Sequence, residues 1–463
     1  MLFNDTIAAI ATPVGEGGIG IIRISGPEAK EIALKVIRGQ KGRPFKEIKD
    51  HILYYGMFAD PYTSSPVDEV LFFYARKPRS YTAEDVVEIQ AHGGTLVLSK
   101  ILELVLQNGA RLATPGEFTQ RAFLNGRIDL VQAESIIDLI RAKSDKAHEL
   151  AMKQLTGKTT QVISRIEGEL YRILIMIEAI LDFPEEGIAE PDRKRIGETV
   201  STILTEITEV LKNFDEGRKI RDGVMIVIAG RPNVGKSSLL NKFVNEERAI
   251  VTEIPGTTRD IIEAQIQLGG IPVRLIDTAG LHATDNPIER IGIKKAENFI
   301  TEADLILFVI DNSEELTSED KDVAARINGK KVLVVLSKTD LTPRTNKEEV
   351  RAQFFDTGFE ILEISSRTGE GFDTLEKKII EMVGIGRLSV DDRPVLSRIR
   401  HKHAMEKAAD ALLSFVDGME SRMSEDLLAV DLREALTALG EISGKNVQEE
   451  VVTGIFAQFC IGK

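Results

Sequence analysis

The chain holds a single cysteine, Cys460, among its 463 residues. An intrachain disulfide is therefore excluded, and the composition fits a reducing compartment. The six histidines show no zinc spacing, and no metal-ligand cluster accompanies Cys460. No apolar run approaches the roughly 18 residues that a membrane-spanning helix needs, so no membrane association is expected. The first residues, Met1-Leu2-Phe3-Asn4-Asp5, lack the basic start and apolar core of a signal peptide. The expected location is cytoplasmic. Basic residues are in deficit: 59 Lys and Arg stand against 73 Asp and Glu, a net charge of −14. Such a chain repels nucleic acid over most of its surface, so any RNA contact needs a local basic patch or a partner. Internal repeats and low-complexity tracts are missing too. Apolar residues, at 43%, are ample for real cores, and the length suggests about three domains.

The stretch from Val224 to Gly280 organises the rest. An apolar run, Val224 to Ala229, leads into Gly230-Arg231-Pro232-Asn233-Val234-Gly235-Lys236-Ser237 and then an amphipathic segment from Ser238 to Phe243. Strand, Gly-x-x-x-x-Gly-Lys-Ser loop and helix form a P-loop in its expected context. Gly230 and Gly235 let the backbone wrap a phosphate without side-chain clash. The turned N–H groups and the helix N-terminus face the anion. Lys236 can reach the terminal phosphates, and the Ser237 hydroxyl can ligate Mg²⁺.

Companion boxes follow in order. Pro272 to Ile276 reads as a strand ending in Asp277-Thr278-Ala279-Gly280. Its Asp is placed to reach Mg²⁺ through water, and Gly280 can present its N–H to the γ-phosphate. Upstream lies Gly256-Thr257-Thr258-Arg259-Asp260. Either Thr could close on Mg²⁺ in the triphosphate state, Thr258 being favoured. Lys331 to Leu336 is a strand running into Ser337-Lys338-Thr339-Asp340, and the strand Ile361 to Ile364 runs into Ser365-Ser366-Arg367. Together these resemble the five ordered boxes of a translation-factor-class GTPase. Asp340 matches that class's guanine-reading Asp, whose carboxylate accepts from the base N1–H and N2–H. Adenine lacks that donor pair, so GTP is the expected nucleotide. The sequence departs at Ser337, where the class usually has Asn.

Ras-type enzymes place a water-orienting Gln after the Asp-x-x-Gly box, but here that position is Leu281. Glu289 is a candidate for the role. Read locally, Asn286, Pro287 and Glu289 spell an N-cap, N1 and N3, a capping box. The two readings are compatible.

In chain order, residues 1–119 read as an α+β domain. Strands are expected at Thr6 to Thr12, Gly20 to Ile24, Glu69 to Ala75 and Asp85 to Gln90, with helices at Pro27 to Arg38 and Leu96 to Leu106. The run Gly15 to Gly20 reads as a turn. Residues 120–215 read as long helices, Val131 to Leu155, Gln161 to Ile180 and Ile196 to Phe214. Glu216 to Arg221 reads as a charged linker into a GTPase unit spanning 216–384. Helices return over 385–463, at Arg398 to Met419, Asp426 to Leu439 and Val447 to Phe459, the last with Val447, Val451, Ile455 and Phe459 on one face. The simplest architecture is multidomain: an N-terminal α+β domain, then a helical domain split into two chain segments by an inserted P-loop, Ras-like GTPase domain. P-loop domains have termini close together, which makes insertion easy. Cys460 reads either as a small buried apolar residue or as a reactive thiol.

Gly230 to Asn241, Gly256 to Asp260 and the closing Cys460-Ile461-Gly462-Lys463 resemble the tRNA-modification GTPase family MnmE, also called TrmE. Further matching stretches are Asp5-Thr6-Ile7, Ala11-Thr12-Pro13, Arg23 to Gly26, Tyr81 to Glu88 and Pro115 to Gly126. The resemblance covers essentially the whole chain. It implies a folate-binding, dimer-forming N-terminal domain that holds 5-formyltetrahydrofolate or another one-carbon tetrahydrofolate. Its contacts would be Arg23, Glu88, Arg127 (a family Lys position) and Lys463. It implies nucleotide contacts from Asn233 to Ser238, from Thr252, Glu253, Ile254, Pro255, Gly256, Thr257 and Thr258, from Asp277 to Gly280, from Ser337 to Asp340 and from Ser365 to Arg367. It implies K⁺-dependent hydrolysis between paired G domains. Asn233, Thr252, Ile254 and Thr257 would surround K⁺, Ser237 and Thr258 would hold Mg²⁺, and Glu289 would orient water beside Lys236 and Asp277. It implies modification at C5 of the wobble uridine of certain tRNAs, with the flavoprotein MnmG (GidA) carrying FAD in a heterotetramer or larger complex that contacts tRNA. Cys460 sits where the family has its terminal Cys, a candidate for the modification chemistry. A regulatory GTPase of the ribosome-assembly type is the alternative. Such proteins usually attach a basic RNA-binding module, whereas the flanks here are acidic and helical.

Overall fold

Alternation of apolar and polar residues along β-strands, and apolar steps of three and four along helices, sort the chain into two kinds of layer. The structure is a computed structural model describing residues 4–13, 15–39, 42–183, 193–245, 262–277, 298–354, 359–384 and 394–463. It divides into two compact units. One comprises Met1–Ile137, Gln154–Val200 and Asp410–Lys463; the other comprises Asp138–Lys153 and Ser201–Ala409. Among the described residues no helix is long and apolar enough to cross a membrane.

The first unit contains a seven-stranded sheet. Its strands are β1 (Ile7–Ile10), β2 (Gly17–Ser25), β3 (Ile37–Arg38), β4 (Leu53–Ala59), β5 (Pro66–Ala75), β6 (Val86–Gly93) and β7 (Arg111–Leu112). Their order is β3-β4-β5-β6-β2-β1-β7, antiparallel except for β1 with β7. Ile22 and Ile24 of β2, Phe72 of β5 and Val87 and Ile89 of β6 meet Leu98, Ile101 and Val105 of the helix Thr95–Gln107 in one core. Leu96, where that helix was expected to begin, is 69% exposed. Of the run Gly15 to Gly20 expected as a turn, the residues from Gly17 on already belong to β2, and only Gly15 and Glu16 precede the strand. Gly17 faces Gly93 across a bulge, and a Cβ on Gly93 would stand 2.4 Å from the Gly17 carbonyl oxygen.

The same unit holds the helices Lys158–Asp182 and Glu425–Ser443. Glu167 pairs with Lys445 at 2.5 Å and Glu178 with Arg433 at 2.7 Å, so the two helices run antiparallel. Residues from both sides of the GTPase segment thus build one helical layer. The expected final helix is shorter, Glu449–Phe456. Of the expected face, Phe459 is buried and Val447 and Ile455 pack partly buried against the same core, but Val451 is 38% exposed, and Val452 and Phe456 join the buried side.

The second unit carries a six-stranded sheet: β8 (Val224–Ala229), β9 (Ile262–Leu268), β10 (Ile271–Asp277), β11 (Leu305–Asp311), β12 (Val332–Ser337) and β13 (Glu360–Glu363). The order is β13-β12-β11-β8-β10-β9, parallel except for the β9–β10 hairpin. Continuous apolar runs in β8, β11 and β12 are buried on both faces, as a parallel sheet between helices requires. Two expectations are corrected here. The helix foreseen over Val131 to Leu155 breaks into Leu130–Arg141 and Asp145–Leu155. Ser144 caps the start of the second piece, its hydroxyl accepting the Ala147 N–H at 3.2 Å. Ala147 and Leu150 of the second piece join the core of this unit. The foreseen linker Glu216 to Arg221 lies inside the helix Phe214–Asp222, which buries Phe214, Gly217 and Ile220 at three-residue steps. Its charges mark the solvent face of a helix, not a loop.

Candidate functional site

The carboxyl ends of β8, β11 and β12 carry the loops of a nucleotide cleft, and Asp277 ends β10 at the same edge, the usual ligand edge of a parallel sheet. After Ala229 the chain turns through Gly230 at φ +155°, where a Cβ would stand 2.4 Å from the Val309 carbonyl oxygen. Asn233 is left-handed at φ 62° and Gly235 follows at φ 101°. Lys236 opens the helix Lys236–Asn245. Its ammonium donates to the carbonyls of Gly230 at 2.8 Å and Arg231 at 2.7 Å. Burial pushes its pKa below the usual lysine value, and Asp277 opposes that in part. The Ser237 hydroxyl donates to Asp277 Oδ2 at 2.8 Å, and Asp277 is fully buried at the end of β10. A hydroxyl and a carboxylate held together beside a phosphate loop are the oxygen donors a Mg²⁺–phosphate group needs, so the residues fit that ion.

Beside the loop lies a cleft of about 550 Å³ lined by Gly235, Ser238, Ser337, Lys338, Asp340, Ser366 and Arg367 among others. Asp340 Oδ1 accepts the Ser365 hydroxyl at 2.7 Å, and Arg367 stands 3.8 Å from Oδ2. The Thr339 N–H donates to Ile364 at 3.3 Å, tying this box to the next strand. The Ser337 hydroxyl donates to the Val234 carbonyl at 2.5 Å and lies 3.1 Å from that of Ile310. Ser337 therefore joins the base box to the phosphate loop. Lys338, left-handed at φ 58°, donates to Asp311 Oδ2 at 2.6 Å.

In the first unit, Arg23 Nε donates to Glu88 at 2.7 Å and its Nη1 to the Gly462 carbonyl at 3.3 Å, across 439 positions of chain. The Arg23 guanidinium lies 4.8 Å from the centre of the Tyr81 ring and that of Arg127 lies 5.1 Å from it. Arg127 also donates to the Tyr81 carbonyl at 2.8 Å. Burial, then the charge of Arg23, push the Lys463 pKa down, while Glu88 and Cys460 pull it up. Arg23 and Arg127 thus flank one aromatic ring, Glu88 pairs with Arg23, and Lys463 feels the charge of both Arg23 and Glu88. Two guanidiniums and an ammonium suit the oxygens of a folate glutamyl chain, and the carboxylate suits a pterin amino edge. Cys460 is exposed, which removes the buried-core reading. Its carbonyl accepts the N–H groups of Gly116 at 3.4 Å and Lys463 at 3.3 Å.

Thr252, Glu253, Ile254, Pro255, Gly256, Thr257, Thr258, Thr278, Ala279, Gly280 and Glu289, with the capping box around Pro287, lie outside the described residues.

The family model described as the MnmE helical domain matches residues 130–460, and the one described as the GTP-binding protein TrmE N-terminus matches residues 6–127. The chain belongs to the MnmE family. A relative from Thermoanaerobacter pseudethanolicus, named tRNA modification GTPase MnmE, is 47% identical over 99% of each chain. Relatives of the same name from Geotalea uraniireducens and Bacillus subtilis are 47% and 42% identical. They cover 100% and 99% of this chain and 100% of their own.

Several residues that shape these MnmE sites escaped sequence reasoning. Tyr81 stood inside a family-matching stretch, yet its ring as a platform for two arginines carries no local pattern. Arg121, fully buried, donates to Asp5 Oδ1 at 2.7 Å and to Glu117 at 3.0 Å, and Asn125 donates to the Thr82 carbonyl at 2.8 Å. The Asn125 bond, with the contact of Arg121 to Glu84 at 3.3 Å, ties down the segment that presents Tyr81. Arg231 falls on an unspecified position of the Gly-x-x-x-x-Gly-Lys-Ser pattern, yet its side chain is anchored by acidic groups.

Proposed function

We propose that this chain is a potassium-activated GTP hydrolase. With a flavoprotein partner of the MnmG (GidA) type, it adds a carboxymethylaminomethyl or aminomethyl group at C5 of the wobble uridine of certain tRNAs. The observation that carries the reading is one chain of the MnmE family holding both the Lys236–Ser237–Asp277 phosphate site, with Asp340 beside it, and the Arg23–Glu88–Arg127–Lys463 cluster. The relatives' shared name, tRNA modification GTPase, supports the activity and the involvement of tRNA.

In the nucleotide cleft, loop N–H groups and the helix beginning at Lys236 would hold the phosphates, and the Lys236 ammonium would neutralise their charge. Ser237 and Thr258 would hold Mg²⁺, with Asp277 behind Ser237. The ion, when bound, offsets charge growing on the phosphate oxygens. Asn233, Thr252, Ile254 and Thr257 would surround K⁺, and Glu289 would orient the attacking water. The nucleotide contacts would extend through Thr278, Ala279, Gly280, Ser337, Lys338, Thr339, Ser365, Ser366 and Arg367. Asp340 would select guanine.

Residues 1–119 would form the folate-binding and dimerisation domain, 120–215 and 385–463 the helical domain, and 216–384 the inserted GTPase domain. A homodimer would assemble with the flavoprotein, which would carry FAD and much of the tRNA contact, in keeping with a chain of net charge −14. The expected setting is the cytoplasm, and Cys460 would take part in the modification chemistry.

Hydrolysis and folate binding by the full chain test the reading together. Faster GTP turnover in KCl than in NaCl, with saturable binding of 5-formyltetrahydrofolate, is the expected outcome. GTP turnover with no folate binding would favour the ribosome-assembly type instead. Equal rates in the two salts would remove the K⁺ assignment at Asn233.

A further inference from the structure

We propose that Arg231 is a positioning residue of the phosphate loop, clamped through its side chain to Glu314 in the segment after β11 and to Asp320 in the first turn of the helix Ser318–Arg326. The proposal rests on the reading of this cleft as a GTP site. The Arg231 side chain is only 14% exposed; it pairs with Glu314, and its Nε lies 3.3 Å from Asp320 Oδ2. Asp320 is itself buried and held by a capping box, accepting from the Thr317 N–H at 2.9 Å and the Thr317 hydroxyl at 2.8 Å. The anchor is therefore rigid at its far end.

At the near end the backbone of the same arginine faces the nucleotide machinery. The Arg231 carbonyl accepts the Lys236 ammonium at 2.7 Å, beside the Gly230 carbonyl at 2.8 Å. Fixing the side chain of Arg231 fixes the peptide that orients Lys236. The anchoring segment also holds the base box. Asp311 accepts Lys338 at 2.6 Å, the Asn312 N–H donates to the Ser337 carbonyl at 3.0 Å, and the Asn312 carbonyl accepts the Arg344 N–H at 2.8 Å. One acidic segment thus sets phosphate loop and base loop against each other. A contact that holds Lys236 equally in the bound ground state and the transition state changes affinity and leaves the chemical step alone.

The test uses the full chain, with titration of a fluorescent GDP and steady-state GTP hydrolysis for Arg231→Gln, Asp320→Asn, the double variant and Arg231→Lys. Arg231→Gln should raise the GDP Kd and the GTP KM by about tenfold, the scale of one charge-assisted hydrogen bond. Its kcat should stay within about twofold of wild type. The double variant should bind no more weakly than the weaker single, since both remove one interaction, and Arg231→Lys should recover part of the loss. If Arg231→Gln fails to fold, because Asp320 is then a buried carboxylate without its cation, the double variant carries the same reading of Kd and KM. Wild-type Kd and KM in Arg231→Gln or in the double variant, or losses that add in the double, would overturn the clamp. A wild-type chain that binds no guanine nucleotide would overturn the site reading and the clamp with it.

Discussion

The nucleotide cleft of one unit and the Tyr81 cluster of the other draw on the chain in different ways. The phosphate loop runs through consecutive residues, Gly230 to Ser237, and its partner Asp277 joins Ser237 from 40 positions away. Its chemistry is largely backbone chemistry, so the sequence must supply glycines where φ turns positive and a lysine at the helix start. The Tyr81 cluster is made of side chains brought together by tertiary contacts, Arg23 reaching Gly462 across 439 positions. A site of the first kind is broken by changing its own residues. A site of the second kind is also broken by whatever holds the distant segment in place.

That contrast is sharpened most by Asp277→Ala. The variant removes the buried carboxylate behind Ser237 and should cut GTP hydrolysis by about 10²–10³-fold, measured as phosphate release. Folate binding should be unchanged, and a matching fall there would merge the two sites. Asp340→Ala should weaken GTP binding by about 10–100-fold, the worth of hydrogen bonds to a charged group. Calorimetric titration with GTP checks it, and wild-type affinity would remove Asp340 from base reading.

Gly462→Ala should do the converse. Gly462 sits at φ +97°, and a Cβ there would meet the Ile10 carbonyl oxygen at 2.3 Å. The segment carrying Lys463 would be displaced, weakening 5-formyltetrahydrofolate by about tenfold, the scale of left-handed backbone strain. GTP kinetics should not move, and unaltered folate affinity would contradict the role of the distant segment.

The smallest effect is on stability. Burial alone would raise the Glu117 pKa, but Arg111, the Thr114 N–H and Arg121 outweigh it and hold the pKa below its ordinary 4.5. A depressed carboxylate stabilises fully above its unfolded value and loses that contribution as pH falls through its folded one. The melting temperature should therefore fall on acidification below 4.5, and fall less steeply in Arg111→Gln. Parallel melting curves for the two proteins would remove this coupling.

The contrast also marks how far the sequence could be read. β8, β10 and β12, with the loops that follow β8 and β12, were legible because buried parallel strands are near-continuous apolar runs and the P-loop fixes residue types at fixed spacing. The break before Ser144 was not, because the helical periodicity of Val131 to Leu155 continues through it and the restart is marked only by one serine cap. Phe214–Asp222 looked like a linker because its buried face is carried by Phe214, Gly217 and Ile220 alone. The residues of the Tyr81 cluster were named through family resemblance. Their mutual distances depend on β2–β6 pairing and on the docking of Gly462, which no local spacing encodes. The Arg231 anchor was missed for the same reason, since Glu314 and Asp320 lie 83 or more positions away.

The central claim is that the GTP cycle of this chain serves tRNA modification. Mass spectrometry of nucleosides from bulk tRNA, in cells with and without the gene, tests it most directly. The account predicts that C5-aminomethyl-type wobble uridines disappear on deletion and return with the wild-type gene but not with an Asp277→Ala copy. Unchanged nucleosides on deletion would contradict it.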